Sequence, residues 1–404
     1  MTTTINNKNK KPNVPNLRFK EFQGEWEEER LSDIADLYKG TGISKDQLSD
    51  EGEPCILYGE LYTKYKSETI EKVISKTNIE NTKLVRSKAN DVIIPCSGET
   101  AEDIATARCV LNGNILLGGD LNIIRLHGYD GAFMSYQLNG RRKYDIAKVA
   151  QGVSVVHLYG EHLKGVKTIN PCLEEQRKIA SLFRLLDERI ATQNKVIEDL
   201  KKLKSAIIEE HYRQTEKNEV CVADLGNHFN VGNLAKDDLA ETGKPCIIYG
   251  ELFTTYGEII SQTESHTNKT EGMILSKKGD LLFPSSTTVD AVSLIAPSVI
   301  NVDNVILGGD MFGIHISHNY NAQYLSYYFN HIAKKQLAKF AKGSTIIHLH
   351  YADIEKAKLL LPSLEEQNRM AKCLVALDKK VSVEQNLLSS LTCQKSYLLQ
   401  QMFI

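Results

Sequence analysis

Pro171-Cys172-Leu173-Glu174-Glu175-Gln176 recurs as Pro362-Ser363-Leu364-Glu365-Glu366-Gln367, and a long run without proline or glycine follows each copy. A boundary proline, two carboxylates in the first turn at the positive end of the helix dipole, and apolar residues at steps of three and four predict a long helix, twice. Ser363 and Glu366 have the S-x-x-E spacing of a capping box, and Cys172 in place of the serine is expected to cap less well. In the second copy the apolar stripe runs through Met370, Leu374, Leu377, Val381, Leu388, Leu391, Leu398 and Met402, interrupted at Glu384 and Lys395. The first copy shows Ile179, Phe183, Leu186, Ile190, Ile197 and Leu200, then a register slip to Leu203 and Ile207. This is a coiled-coil period. A helix from Leu173 to Arg213 would be a rod about 60 Å long, with a stripe it cannot bury alone. Its natural partner is the other rod.

The sequence that precedes each helix is also written twice. Pro54-Cys-Ile-Leu-Tyr-Gly-Glu-Leu-Tyr-Thr-Lys-Tyr65 returns as Pro245-Cys-Ile-Ile-Tyr-Gly-Glu-Leu-Phe-Thr-Thr-Tyr256, nine identities in twelve. Ser87–Asp91 returns as Ser276–Asp280, Leu117-Gly-Gly-Asp120 as Leu307-Gly-Gly-Asp310, and Gly152–Leu158 as Gly343–Leu349. The offsets lie between 189 and 191 residues, so only single-residue insertions separate the copies. Short apolar runs punctuated by Gly, Asn and Asp predict β-rich α+β domains. The expected division is a polar, disordered arm (1–15), a first domain (16–170), a first long helix (171–214), a second domain (215–361) and a second long helix (362–404). The predicted fold is α+β: two similar domains separated by two long antiparallel coiled-coil helices, an internal repeat about a pseudo-two-fold axis.

At 404 residues and 42% hydrophobic content the chain can bury two ordinary cores. A formal charge of −2 excludes a uniformly basic nucleic-acid binder, so any grip on phosphates must come from local lysine clusters. The absence of an apolar run of membrane-spanning length or of a hydrophobic signal region predicts a cytoplasmic protein without membrane partners. The eight cysteines contain no C-x-x-C pair and read as small buried hydrophobes rather than disulfides or a zinc site.

The Gly-Gly-Asp repeats could hold a metal-phosphate group, but without GxxxxGK[ST] or GxGxxG nearby they read better as turns. His157 and His348 recur as a ligand or base would. Only the second copy has a partner two residues on (His350, against Tyr159), so a hydrogen-bonded structural histidine is favoured. Glu60 and Glu251 supply one carboxylate per domain, which is not an acid/base pair. Neither a catalytic constellation nor a cofactor motif is visible.

Capping chemistry accounts for the glutamates of Leu-Glu-Glu-Gln but not for the glutamine. A Pro-x-Leu-x-Glu-Gln helix start that closes an α+β domain twice, with the opening Pro15-Asn-Leu-Arg-Phe-Lys-Glu-Phe-Gln-Gly-Glu-Trp26, resembles the specificity (S) subunit of type I restriction-modification systems. The resemblance spans Pro15 to Ile404. It implies a non-catalytic subunit that binds double-stranded DNA without cofactor or metal, each domain a target recognition domain for half of a bipartite target. The helices would fix the unread spacer and dock two methyltransferase subunits, with two motor-nuclease subunits in the full complex directing restriction and DNA methylation. Half-sites recur at about 34 Å per turn, a distance such helices can bridge. Lys66–Arg86 and Gly257–Leu275 differ most between the copies, so the two half-targets should differ.

Candidate DNA contacts in the first domain are Lys39, Thr41, Lys45, Lys64 and Lys66 for phosphates, with Tyr62 and Tyr65 beside them. The second domain offers Asn233, Lys236, Thr254, Thr255 and Tyr256. After Pro95 and Pro284 come Ser97, Glu99, Thr100 and Arg108, and Ser285, Ser286 and Thr287, types able to read base edges. Lys342 stands where the first copy has Gln151. Two other functions fit the repeat: a duplicated protein-protein scaffold without DNA readout, or a nucleotide-using enzyme at the Gly-Gly-Asp turns.

Overall fold

The computed structural model describes residues 13–80, 83–152 and 155–404; most of the N-terminal arm, and Val153 and Ser154 of the Gly152–Leu158 motif, lie outside these. Asn13 and Pro15, assigned to the arm from sequence, belong to the fold: Pro15 is buried, and Trp26 N donates to Asn13 O at 2.8 Å. Two compact units form. One takes residues up to Asn194 together with Asn386–Ile404, and the other takes Lys195–Gln385. Each unit therefore contains a domain, the first half of one long helix and the last half of the other, a finer division than the sequence suggested.

The domains share one topology. In the first, a five-stranded sheet runs Ala35–Lys39, Leu121–Leu126, Asp91–Pro95, Arg108–Val110, Thr69–Ile70. A second runs Leu48–Ser49, Ser75–Thr77, Glu53–Ile56, Leu116–Leu117, Val85–Arg86. The second domain repeats both orders strand for strand, from Gly226–Asn230 to Ile259–Ile260 and from Leu239–Ala240 to Ile274–Leu275. Asp91–Pro95 and Asp280–Pro284 are central strands buried at every residue, which is why they read as unbroken apolar runs. The helices Gly131–Asn139 and Ala322–His331 are largely buried and lie in the larger core of each unit.

The recurring motifs prove to be turns and rivets. Ser87 Oγ donates to Asn112 O and accepts from Ile115 N, as Ser276 Oγ does with Val302 O and Val305 N. At the Gly-Gly-Asp turns the glycines allow close packing: a Cβ on Gly308 would lie 2.2 Å from Leu234 Cβ, and one on Gly40 would lie 2.0 Å from Gly118 O. Of the cysteines, 55, 96, 109 and 246 are buried as expected. Cys172, Cys373 and Cys393 are exposed, at the start or on the outer faces of the long helices.

The long helices are Leu173–Gln214 and Leu364–Met402. In the first unit Ile179 and Phe183 share a core with Met402 and Phe403, while Asp187 meets Lys395 at 2.6 Å. In the second, Lys204 meets Asp378 at 2.9 Å and His211 meets Glu366 at 3.1 Å. Rising numbers on one helix match falling numbers on the other, so the segments pair antiparallel within each unit. The register slip does not occur. Leu203 is 48% exposed, and the seam position belongs to Lys204, whose side chain is only 12% exposed. The seam runs on from Leu200 through Lys204 to Ile208, and a lysine occupies it.

The Glu-Glu-Gln signature joins helix to domain. Gln176 is buried; its Nε2 donates to Pro171 O at 2.8 Å, and its Oε1 accepts from Asp130 N, the N-cap of Gly131–Asn139, at 2.9 Å. Gln367 makes the same two bonds, to Pro362 O at 2.9 Å and from Asn321 N at 3.0 Å. Glu175 is fully buried in a bidentate pair with Arg18, both contacts 2.7 Å, and this pair raises the pKa of the guanidinium. Its counterpart Glu366 turns to His211 and Arg369. Ser363 Oγ accepts from Glu366 N at 3.3 Å, half of the expected capping box.

Candidate nucleic-acid interface

The most similar stretch of the two copies builds a platform. Leu57 N donates to Glu60 Oε2 at 3.1 Å and Ile248 N to Glu251 Oε2 at 2.9 Å, so each carboxylate ties the start of its own short helix, Glu60–Thr63 or Glu251–Thr254, back to the end of the preceding strand. Ser75 and Ser265 donate to the same carboxylates. Tyr65 is buried and its hydroxyl accepts from Ile74 N, as Tyr256 OH accepts from Glu264 N. Lys64 spends its ammonium on Glu60 and Ser75. Tyr65 is therefore buried in this platform, while Lys64 braces it from the surface with its side chain 40% exposed.

Three other candidates are also committed inside the fold. Arg108 is buried, donating to Ala107 O and Tyr65 O at 3.1 Å, and burial pulls its pKa down. Ser298 stands at its place in the second copy and donates to Gly257 O at 2.7 Å, the same bridging task done by a smaller side chain. Ser285 and Ser286 are buried beside and within a two-stranded ladder. Thr41 Oγ1 bridges Lys83 O and Val85 N, and Thr100 caps Ala101–Ile104 through Asp103 N. Thr254 Oγ1 donates to Gly250 O. Lys45, Lys66, Asn233, Lys236 and Thr255 are exposed on separate turns.

What converges is one face in each unit. Ser97-Gly98 pairs with Val156-His157, and Ser286-Thr287 with Ile347-His348. Each ladder is fed by a segment closed by a bridge, Gln151 to His157 or Lys342 to His348, and beside these bridges Val155 is 52% and Ile346 49% exposed. The histidines use their main chains in that bridge, while their rings stack on the ring two residues on, His157 on Tyr159 and His348 on His350. The expected hydrogen-bonded structural histidine is thus a stacked, half-exposed one. Lys39 reaches this edge in the first unit: its Nζ lies 3.8 Å from Asp120, whose carbonyl accepts from Cys96 N beside Ser97.

Tyr62 faces the loop after Ser97: burial first, then Tyr58, Glu99 and Asp103, push its phenol's pKa up. In the second unit Phe253, Tyr256, Thr287, Val289 and Lys334 line one open cleft. Lys342 is exposed and paired to Asp353. The sequence reading missed the short helix before the bridged segment. Lys143 and Lys148 lie on it in the first unit, and Lys334 and Lys339 recur 191 residues later on the helical turns Lys334–Leu337 and Ala338–Phe340. Lys148 lies over the exposed Tyr144 ring at 4.3 Å. Sliding the sequence along itself by 191 residues would have exposed these lysines; no motif of their own did. Among the described residues no three His, Cys, Asp or Glu side chains group as a metal site, and no helix is long and apolar enough to cross a membrane.

The family model for the type I restriction modification DNA specificity domain matches the chain twice, over residues 23–202 and 215–392. The chain belongs to the type I restriction-modification specificity family. Two specificity proteins of Methanocaldococcus jannaschii are similar along nearly their whole length. The type I restriction enzyme MjaVIII specificity subunit is 24% identical, covering 91% of this chain and 90% of its own. The putative type I restriction enzyme MjaX specificity subunit is 23% identical, covering 93% and 92%. In fold, the crystal structure of the type I restriction-modification S subunit from M. genitalium superposes with a TM-score of 0.65 at 18% identity, covering 97% of this chain and 99% of that one. The two matches to the family model each span one domain and most of the long helix that follows it, so the doubled motif and the doubled specificity domain are one feature.

Proposed function

We propose that this specificity-family chain is the non-catalytic DNA-reading subunit of a type I restriction-modification complex. Each domain reads one half of a bipartite, asymmetric double-stranded target. The paired helices set the unread spacer and dock two methyltransferase subunits, to which two motor-nuclease subunits add in the restricting complex. The observation that carries this reading is the pair of topologically identical domains whose recurring residues build scaffold while the residues at the matching face differ. Glu99-Thr100 stands against Thr288-Val289-Asp290, and Gln151 against Lys342. Support comes from Lys39 and Lys342, which lie at the ladders carrying Ser97 and Thr287, in keeping with the division of labour between phosphate contacts that position and base-edge contacts that specify. The domain boundaries that follow are 16–170 and 215–361. Genome-wide methylation mapping with and without the chain tests the function: one bipartite motif should appear and vanish with it. Exchanging residues 219–361 for those of a relative should alter one half-motif only. A swap that changes both halves, or neither, refutes the assignment.

A further inference from the structure

A lysine inside a hydrophobic helix seam needs a reason, and there is one in each unit at equivalent places, Lys395 and Lys204, 191 residues apart. Lys395 Nζ contacts Asp187 Oδ1 and Glu68 Oε2, each at 2.6 Å, and lies over the Tyr136 ring. Asp187 Oδ2 accepts from Tyr136 OH at 2.7 Å and Ser67 Oγ at 2.9 Å. Lys204 Nζ contacts Asp378 Oδ1 and Glu258 Oε1, each at 2.9 Å, and lies over Tyr327, whose hydroxyl donates to Asp378. His331 Nε2 lies 3.0 Å from Glu258 Oε1. In both clusters the lysine comes from one long helix and the aspartate from the other, while the glutamate and tyrosine come from the domain. Burial alone would lower the lysine pKa values, but the carboxylates more than offset it and both are raised.

Leucine and isoleucine seams attract without direction, so an antiparallel pair could slide by a heptad and bury nearly the same area. A buried ammonium cannot slide, because a one-heptad shift would carry it off both carboxylates, to Ala180 or Asn194 for Lys395 and to Ala371 or Gln385 for Lys204, and strand them. We propose that Lys395 and Lys204 are positioning residues that index the two long helices against each other and against the domains, so that a single spacer length is methylated. The proposal rests on the DNA-reading function above.

The test is made on the assembled methyltransferase complex. A neutral variant replaces both clusters while keeping hydrogen-bonding groups: Lys395→Met, Asp187→Asn and Glu68→Gln with Lys204→Met, Asp378→Asn and Glu258→Gln. Lys395→Arg with Lys204→Arg keeps the charge. In the neutral variant both half-motifs should be unchanged, while methylation at spacers one or more base pairs away from the native length rises by about tenfold. The arginine variant should keep one spacer. Methylation by the neutral variant at the native spacer alone, whatever its level, overturns the proposal. So does its loss at every spacer, since removing an index leaves both half-targets readable. A native complex that shows no bipartite motif would instead refute the DNA-reading function itself.

Discussion

Replacing Gln176 with leucine would preserve side-chain volume and remove both hydrogen bonds of the rivet between the first long helix and its domain. Pro171 O and Asp130 N, 2.8 and 2.9 Å from the amide, would lose their partner. Each buried backbone group left unsatisfied costs about 1–3 kcal/mol, so the pair costs roughly 2–6 kcal/mol. For a unit of this size that lowers its melting temperature by about 4–24 °C. Gln367→Leu should do the same to the other unit, and because the sites share no partner the two losses should add. Gln176→Glu should destabilise as well, since its carboxylate still accepts from Asp130 N but sets a buried charge against the lone pairs of Pro171 O. Differential scanning calorimetry of the full chain measures all four proteins. A Gln176→Leu protein melting within a degree of wild type would refute the claim that this glutamine joins helix to domain.

Two further outcomes follow from charged side chains. Glu258 is held down to about 2 against its burial, through His331 and Lys204, so its stabilisation is complete above its ordinary value near 4.5 and is lost as pH falls toward 2. Acid titration of the wild type should cost about 2 kcal/mol between pH 6 and 3, seen in urea melts across that range; Glu258→Gln should flatten the decline, and an unchanged slope would count against it. Lys334→Ala with Lys339→Ala should weaken DNA binding by the assembled complex at all sequences alike and reduce the salt slope of log K by about two; Lys143→Ala with Lys148→Ala should match it. A change in sequence preference with the slope intact would place those lysines at bases instead.

Much of the architecture was legible in the chain because duplication repeats whatever either copy needs, and because a heptad stripe announces a partner of its own kind. The site was less legible. Tyr65, Arg108, Ser285 and Ser286 have the chemistry of base readers, yet burial gives them structural work that residue type does not reveal. Lys143 and Lys334, on a short helix with no signature, gained significance only when the fold set them beside the bridged segment. The stacked rings of His157 and His348 likewise depend on a bridge whose partners are fixed by strand pairing.

By itself, the sequence determined two copies of one domain and two long helices with complementary stripes, because local period and repetition are properties of the string. It also marked Lys395 as an interruption and misplaced the matching one at Leu203. Only the tertiary structure decided that Lys204 holds the seam, that Gln176 and Gln367 join helix to domain, and that each lysine meets an aspartate from the other helix. Those facts depend on which groups are brought together out of water, and a buried charge is stable only where distant parts of the chain supply its partners.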